Sequence, residues 1–186
     1  KDNYFVGGTE ILSTPSKNNS DVKFQVSIRH RLTTSVLPFK TYLFLTYTQL
    51  AYWDVFKESF PFRDLNFNPT VGLGRHLVHH NRYIGGLMLQ LEHESNGKDE
   101  ENSRSWNKIS FSANFLLRRS WTLQAKAWIP IVDGENNRDI VKYRGWHFLA
   151  SNYRYKDVFF GALLTKRGGI NLNYNFMLNM AYRPLK

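Results

Sequence analysis

The chain has 186 residues, a formal net charge of +10 and no cysteine, and 16% of its residues are aromatic. The length suits one domain, no signal peptide is visible, and no apolar run approaches the ~18 residues of a membrane-spanning helix. Lysine and arginine are spread over most segments rather than clustered on one, which argues against a nucleic-acid partner.

Alternation of polar and apolar residues predicts an all-β fold with about ten strands. The predicted strands cover residues 3–12, 22–32, 40–54, 66–78, 82–96, 105–118, 121–132, 146–156, 157–166 and 169–181. Many of them are longer than the strands of soluble sheets, and they have the length with which a tilted strand crosses a bilayer.

The connections between the predicted strands alternate roughly between long and short. The long polar ones are residues 13–21, 55–65, 97–104 and 133–145, whereas 79–81, 119–120 and the join near 156–157 are short. Outer-membrane barrels combine short periplasmic turns with longer outer loops. We therefore expect one domain over residues 1–186, an antiparallel up-and-down transmembrane β-barrel. A soluble lipocalin-like barrel or sandwich is the alternative.

Three polar residues interrupt apolar faces at the loop end of two neighbouring strands. His93 and Ser95 continue the face of Leu91, and Asn107 shares a face with Ile109, because residues i and i+2 lie on one side of a strand. In a membrane barrel these apolar faces point toward lipid. Antiparallel pairing around the intervening loop can bring Asn107 beside His93 and Ser95.

These three residue types together can form a nucleophilic site. Ser95 is a weak nucleophile unless a base takes its proton, and His93 is the candidate base on the same face. Asn107 can fix the orientation and tautomer of the imidazole, as the amide does in Cys-His-Asn sites. The alternative is a set of polar residues that closes a strand at the membrane interface.

The string "HESNGKDEENSRSWNK", residues 93–108, resembles the signature of the outer-membrane phospholipase A family of Gram-negative bacteria. "YTQLAYW" (47–53) and "SFPFRDLNFNP" (59–69) resemble the family's third strand and the segment that follows it. "KAW" (126–128) and "VKYRGW" (141–146) are weaker matches in the right order. The similarity runs through most of the chain.

This resemblance implies a calcium-dependent hydrolase that cleaves acyl esters of phospholipids in the bacterial outer membrane and is active as a homodimer. It implies that Ser95 is the nucleophile, His93 the base and Asn107 the orienting amide. A non-enzymatic porin or adhesin barrel is the alternative function. The basic charge of the chain suits contact with anionic headgroups or lipopolysaccharide.

The resemblance also implies a calcium site shared between two chains. The matching ligands are Lys98, through its carbonyl oxygen, and Ser103 on one chain, with Ser59 of the partner subunit. Lys98 stands where the family more usually has arginine, and the loop around Ser59 differs in length and composition. Calcium prefers such oxygen ligands. The acidic residues of the same loop, which are Asp99, Glu100 and Glu101, could raise the local calcium concentration or could be a solvated loop tip.

Gln49 is a second polar residue on an apolar face, which it shares with Leu43, Leu45 and Tyr47. An amide in hydrocarbon without a hydrogen bond costs roughly 2–7 kcal/mol. Pairing across a two-fold axis removes that cost, and the resemblance gives Gln49 this role at the dimer interface. The alternative is an amide that reaches the membrane interface or a neighbouring strand.

The chain departs from the family in its strand count. The family barrel has twelve strands, and about ten are readable here. Free backbone groups at a sheet edge are costly in lipid. We therefore expect either that the sheet closes with ten strands or that the physiological chain has further ones.

Overall fold

The computed structural model describes residues 3–10, 12–98, 102–131, 140–168 and 173–183. Ten strands dominate these residues. They are β1 (Tyr4–Thr9), β2 (Ser20–Arg31), β3 (Thr41–Trp53), β4 (Phe62–His79), β5 (Arg82–Ser95), β6 (Ser105–Arg118), β7 (Trp121–Ile131), β8 (His147–Tyr155), β9 (Val158–Lys166) and β10 (Tyr174–Tyr182). A 3-10 turn, Pro38–Lys40, precedes β3, and the short helix α1, Ile140–Arg144, precedes β8. Neither helical segment in the described ranges is long and apolar enough to span a membrane.

The strands form one sheet in the order of the chain, and each strand pairs antiparallel with the next. The prediction of an all-β, antiparallel up-and-down fold is confirmed. β1 and β10 stand at the two ends of this order, and within the described ranges they do not pair with each other.

The fourth strand begins earlier than predicted. Residues 66–78 were expected, whereas β4 begins at Phe62 because its pairing with β3 continues past an irregularity at Tyr52 and Trp53 to the pair Trp53–Phe62. A ring stack between Trp53 and Phe62, with centroids 5.4 Å apart, and an ion pair between Arg63 and Asp21 hold this extension. The alternation pattern missed it because "FRD" does not alternate.

The sheet curls around a polar interior. Seven consecutive strands, β2 to β8, contribute side chains to one central cavity of about 270 Å³. One lining residue from each strand in turn is Ser27, Thr48, Thr70, Glu92, Ser112, Lys126 and Phe148. A flat sheet could not bring β2 and β8 to one cavity, so the sheet forms the wall of a barrel.

The two faces of this wall are reversed relative to a soluble barrel. On the inner face, Ser110 and Ser112 are each 1% exposed. On the outer face, Leu89 and Phe111 are 51% and 52% exposed. Polar-in, apolar-out alternation is the pattern of membrane barrels. The observed faces therefore exclude the lipocalin-like alternative.

The buried charged side chains on the inner face of β5 form ion pairs across the barrel interior. Glu92 Oε1 lies 2.6 Å from Lys126 Nζ. Glu94 lies 3.2 Å from Lys108 and 2.9 Å from Arg144 of α1. Glu92 is 3% exposed, and an unpaired charge buried to this extent would be costly. The ion pairs take the place of the water that would otherwise solvate these charges. They tie β5 to β6, β7 and α1 just beneath the loop end.

Gly72 offers a test of how closely the wall packs against its interior side chains. A Cβ at Gly72 would lie 2.5 Å from the carbonyl oxygen of Leu89 and 3.0 Å from the ring of Phe44. Gly72→Ala is therefore expected to destabilise the barrel by about 1–3 kcal/mol, the usual cost of overpacking. The measurement is urea unfolding of the full chain in detergent micelles, followed by tryptophan fluorescence. Gly7→Ala is the matched control, because nothing lies within 4 Å of its added Cβ. Equal midpoints for both variants would contradict the expectation.

Candidate active site on the outer wall

The β5–β6 hairpin brings the three predicted catalytic residues together on the outer face. Its register pairs His93 with Asn107 and Ser95 with Ser105. His93 Nδ1 lies 2.9 Å from Asn107 Oδ1. Because an amide oxygen only accepts, this contact places the proton on Nδ1, and Nε2 keeps a lone pair. That tautomer is the one a general base requires.

Ser95 lies two residues from His93 on the same face and is partly exposed. Among the three residues, His93 and Asn107 are joined by a hydrogen bond. In the described part of the chain, no hydrogen bond joins Ser95 to His93. Catalytic hydrogen bonds often form fully only with substrate bound. The sequence placed all three residues on one patch, and the structure does so too.

A hydrogen bond from the barrel interior supports the main chain of His93. The register of β4 and β5 puts Pro69 opposite His93, and proline has no N–H to give to the ladder. Asn68 Nδ2 donates to the His93 carbonyl oxygen instead, at 2.8 Å. Asn68 is 5% exposed. Sequence reasoning missed this contact, and the "NP" pair was the available signal, since proline inside a strand requires a substitute donor.

The loop after Ser95 is closed by the side chain of Asn96, which is 4% exposed. Its Nδ2 donates to the carbonyl oxygen of Asn102 at 2.7 Å, and its Oδ1 accepts from the Arg104 N–H at 2.8 Å. The backbone N–H of Asn96 also donates to the Arg104 carbonyl oxygen at 3.0 Å. One buried amide thus joins both ends of the loop beside the nucleophile, a role that the sequence alone did not indicate.

Two of the predicted calcium ligands flank this loop. Lys98 is exposed and Ser103 is partly exposed. Asp99, Glu100 and Glu101 lie outside the described residues. Among the residues that the structure describes, no three His, Cys, Asp or Glu side chains are grouped as metal ligands. The ligands that the resemblance implies, the Lys98 carbonyl oxygen and the Ser103 hydroxyl, are oxygen atoms of the kind that calcium prefers.

The third predicted ligand, Ser59, lies in the loop between β3 and β4, at the same end of the barrel. It is exposed and its φ is 64°. Trp53 Nε1 donates to the Phe60 carbonyl oxygen at 2.9 Å, and an ion pair of 2.7 Å joins Lys57 to Asp54 in the same loop. Ser59 is thus exposed on a loop that these two contacts hold in place.

Gln49 lies on the outer face of β3, partly exposed, and its Oε1 accepts from the Tyr47 hydroxyl at 3.3 Å. Within the described ranges its amide N–H groups have no acceptor. The registers place Gln49 opposite Phe67, and Phe67 opposite Ser95. Strands are ~4.8 Å apart, so Gln49 lies about 10 Å from Ser95 across β4. A two-fold contact at Gln49 would bring a second chain close to the candidate site.

Solved structures share this fold. Outer membrane phospholipase A from Escherichia coli superposes with a TM-score of 0.80 at 25% identity, over 99% of this chain and 76% of that one. The outer membrane phospholipase of Salmonella typhi, solved as a dimer with bound calcium, gives a TM-score of 0.80 at 24% identity, over 98% of this chain and 76% of that one. The predicted barrel is the architecture of both.

Sequence relatives cover most of the chain. Phospholipase A1 of Salmonella typhimurium is 32% identical over 177 residues, which are 90% of this chain and 59% of the relative. Phospholipase A1 of Escherichia coli K12 is 31% identical over 162 residues, which are 84% of this chain and 54% of the relative. The chain therefore spans a little over half the length of these curated relatives.

The resemblance carried by residues 93–108 is confirmed by a family model. The model described as Phospholipase A1 matches residues 8–184, nearly the whole chain. The chain belongs to the phospholipase A1 family.

Proposed function

We propose that this chain forms the catalytic wall of a calcium-dependent outer-membrane phospholipase, which hydrolyses acyl esters of phospholipids and is active as a homodimer. The observation that carries the proposal is the 2.9 Å contact between His93 and Asn107, with Ser95 on the same outward apolar face. Family membership supports the reaction class. The relative from Salmonella typhi that was solved as a calcium-bound dimer supports the cofactor and the assembly.

The chemistry follows from the tautomer of His93. Nε2 takes the Ser95 proton while Oγ attacks the ester carbonyl carbon. The imidazolium, held by Asn107 through Nδ1–H, then returns the proton to the leaving lysophospholipid oxygen. Water, deprotonated by the same Nε2, attacks the acyl-enzyme and releases the fatty acid and the Ser95 hydroxyl.

The outer location of the site selects a membrane substrate. The apolar residues next to it, Leu89, Leu91, Ile109 and Phe111, are 46–52% exposed and continue the stripe on which His93 lies. Acyl chains can lie against this stripe while the ester group, near the interface, reaches Ser95. A phospholipid therefore arrives by lateral diffusion within the leaflet and does not have to leave the bilayer.

Lys98, through its carbonyl oxygen, and Ser103 would hold calcium together with Ser59 of the partner subunit. Bound calcium supplies positive charge that stabilises the oxyanion of acyl transfer. Asn96 orders the two ends of the loop that carries Lys98 and Ser103. Because a ligand comes from each chain, the proposed site is complete only in the dimer.

Ser95→Ala is expected to reduce phospholipid hydrolysis by about 10³-fold or more, because the nucleophile is lost. Wild type is expected to lose activity with a calcium chelator and to be labelled at Ser95 by a sulfonyl fluoride. Release of fatty acid from mixed micelles and mass spectrometry of the labelled chain are the measurements. Ser105→Ala is the matched control, because Ser105 lies directly opposite on β6. Equal, calcium-independent turnover in all variants, without labelling, would support the porin or adhesin alternative.

Asn107→Ala is expected to lower kcat by about 10–100-fold. This loss is smaller than the full ~10²–10⁴-fold contribution of a general base, because His93 itself is retained. The imidazole remains but its orientation is no longer fixed. Asn107→Asp keeps an acceptor for Nδ1–H and is expected to retain more activity than Asn107→Ala. The pH dependence of kcat/KM for the three proteins is the measurement. Equal losses for both substitutions would show that Asn107 does not act through Nδ1.

Gln49→Ala is expected to weaken dimerisation about threefold to tenfold, since hydrogen bonds between membrane segments contribute ~1 kcal/mol. Sedimentation equilibrium in detergent with calcium measures the dimer, and activity against protein concentration should shift in parallel. Leu43→Ala, an apolar change on the same face of β3, is the control. Unchanged association of Gln49→Ala would remove Gln49 from the interface.

A further inference from the structure

The short-turn end of the barrel carries a concentration of positive charge. Eight exposed basic residues lie at this end, in the short turns or at the strand ends beside them, and we refer to them as the basic rim. They are Arg31, Lys40, Arg82, Arg118, Arg119, Arg154, Lys156 and Arg183. Asp157 is the one acidic residue among the described residues at this end. The basic rim therefore accounts for most of the chain's formal net charge of +10.

The basic rim is not neutralised by carboxylates of the described ranges. Among the residues that the structure describes, the cations in ion pairs lie in the interior or at the long-loop end; they are Lys57, Arg63, Arg104, Lys108, Lys126 and Arg144. No member of the rim pairs with a carboxylate among the described residues. Contacts of the rim are to neutral groups, such as Arg31 Nε to the Thr33 carbonyl oxygen at 2.7 Å and Arg154 Nε to the Lys156 carbonyl oxygen at 3.0 Å.

The rim follows the sheet around its curve instead of forming a patch on one side. Each of the connections β2–β3, β4–β5, β6–β7 and β8–β9 contributes, and Arg183 follows β10. A macromolecule that docks from one side would meet only part of such a ring, whereas a lipid leaflet meets all of it.

Aromatic residues mark the same end as a membrane interface. Five of them are 40–67% exposed: Tyr83, Trp121, Tyr153, Tyr155 and Tyr182. Tyrosine and tryptophan prefer the headgroup level of a bilayer. The neighbouring cations are therefore at headgroup depth, where each basic group attracts anionic lipid.

We propose that the basic rim binds anionic phospholipid headgroups of the leaflet on the short-turn side. This inference rests on the membrane location in the proposed function, but not on the catalytic residues. It assigns this charge to the end of the barrel opposite the long loops. From composition, the positive charge was expected to contact anionic headgroups or lipopolysaccharide, with no end specified.

Trp121 makes the proposal testable, because it is the one tryptophan at this end. The other four, Trp53, Trp106, Trp128 and Trp146, lie toward the long loops. The full chain is inserted into vesicles that contain brominated phosphatidylglycerol or brominated phosphatidylcholine. The difference in quenching between wild type and Trp121→Phe reports the lipid around Trp121. We expect the anionic lipid to be preferred about threefold to fivefold, with a smaller preference at high salt.

A triple variant tests the rim, and a second one is its control. Arg118→Gln, Arg119→Gln and Arg154→Gln together are expected to bring the preference close to one. The matched control removes three cations of the long-loop end, Lys17→Gln, Lys57→Gln and Lys142→Gln, and is expected to keep the preference.

Several outcomes would overturn the proposal. Equal quenching by the two lipids, or a preference that the rim variant keeps, would remove it and leave the phospholipase proposal intact. The proposal would also be removed if the rim binds heparin, a soluble polyanion, in detergent but shows no preference between the two lipids. Absence of quenching by either lipid would show that the chain is not in the bilayer, and the membrane location would fall with it.

Discussion

The reversal of the two faces of the sheet is the constraint on which the rest of the structure depends. Hydrocarbon cannot hydrogen-bond, so every polar group of a membrane barrel must find its partner in the sheet ladder or inside the wall. Here the interior holds buried Ser110, Ser112 and Glu92, and the outer face exposes Leu89 and Phe111. The polar side chains that stabilise the fold find their partners inside the barrel. A polar side chain on the outer face therefore needs a separate explanation, such as a functional role.

The candidate site depends on that interior. Glu92 and Glu94 alternate with His93 and Ser95 along β5, so the residues that anchor the strand inside and those that act outside share one backbone. Lys108 on β6 reaches Glu94 within the lumen at 3.2 Å, and Asn107 reaches His93 outside at 2.9 Å. The hairpin is thus fixed from both sides, and a shift of register by one residue would exchange the two sets of side chains.

The sequence predicted the parts of the structure that follow from alternation. His93, Ser95 and Asn107 could be placed on one outer patch because the period of a strand is two residues and the hairpin register is limited by its loop. Side-chain contacts between non-adjacent positions could not be predicted. The Asn68 bond to His93 depends on the β4–β5 register, and the pairing of Glu94 with Arg144 depends on where α1 lies. The early start of β4 at Phe62 depends on ring stacking with Trp53, which has no signature in periodicity.

The buried amide of Asn96 has a consequence for the entropy cost of ligand binding beside Ser95. It joins the two ends of the loop beside Ser95 with contacts that belong to the folded hairpin alone. The conformational entropy of these loop ends is therefore lost during folding and not when a cation arrives. In the proposed calcium site, these loop ends would not have to be ordered again when an ion binds, so this part of the entropy cost would not weaken ion binding.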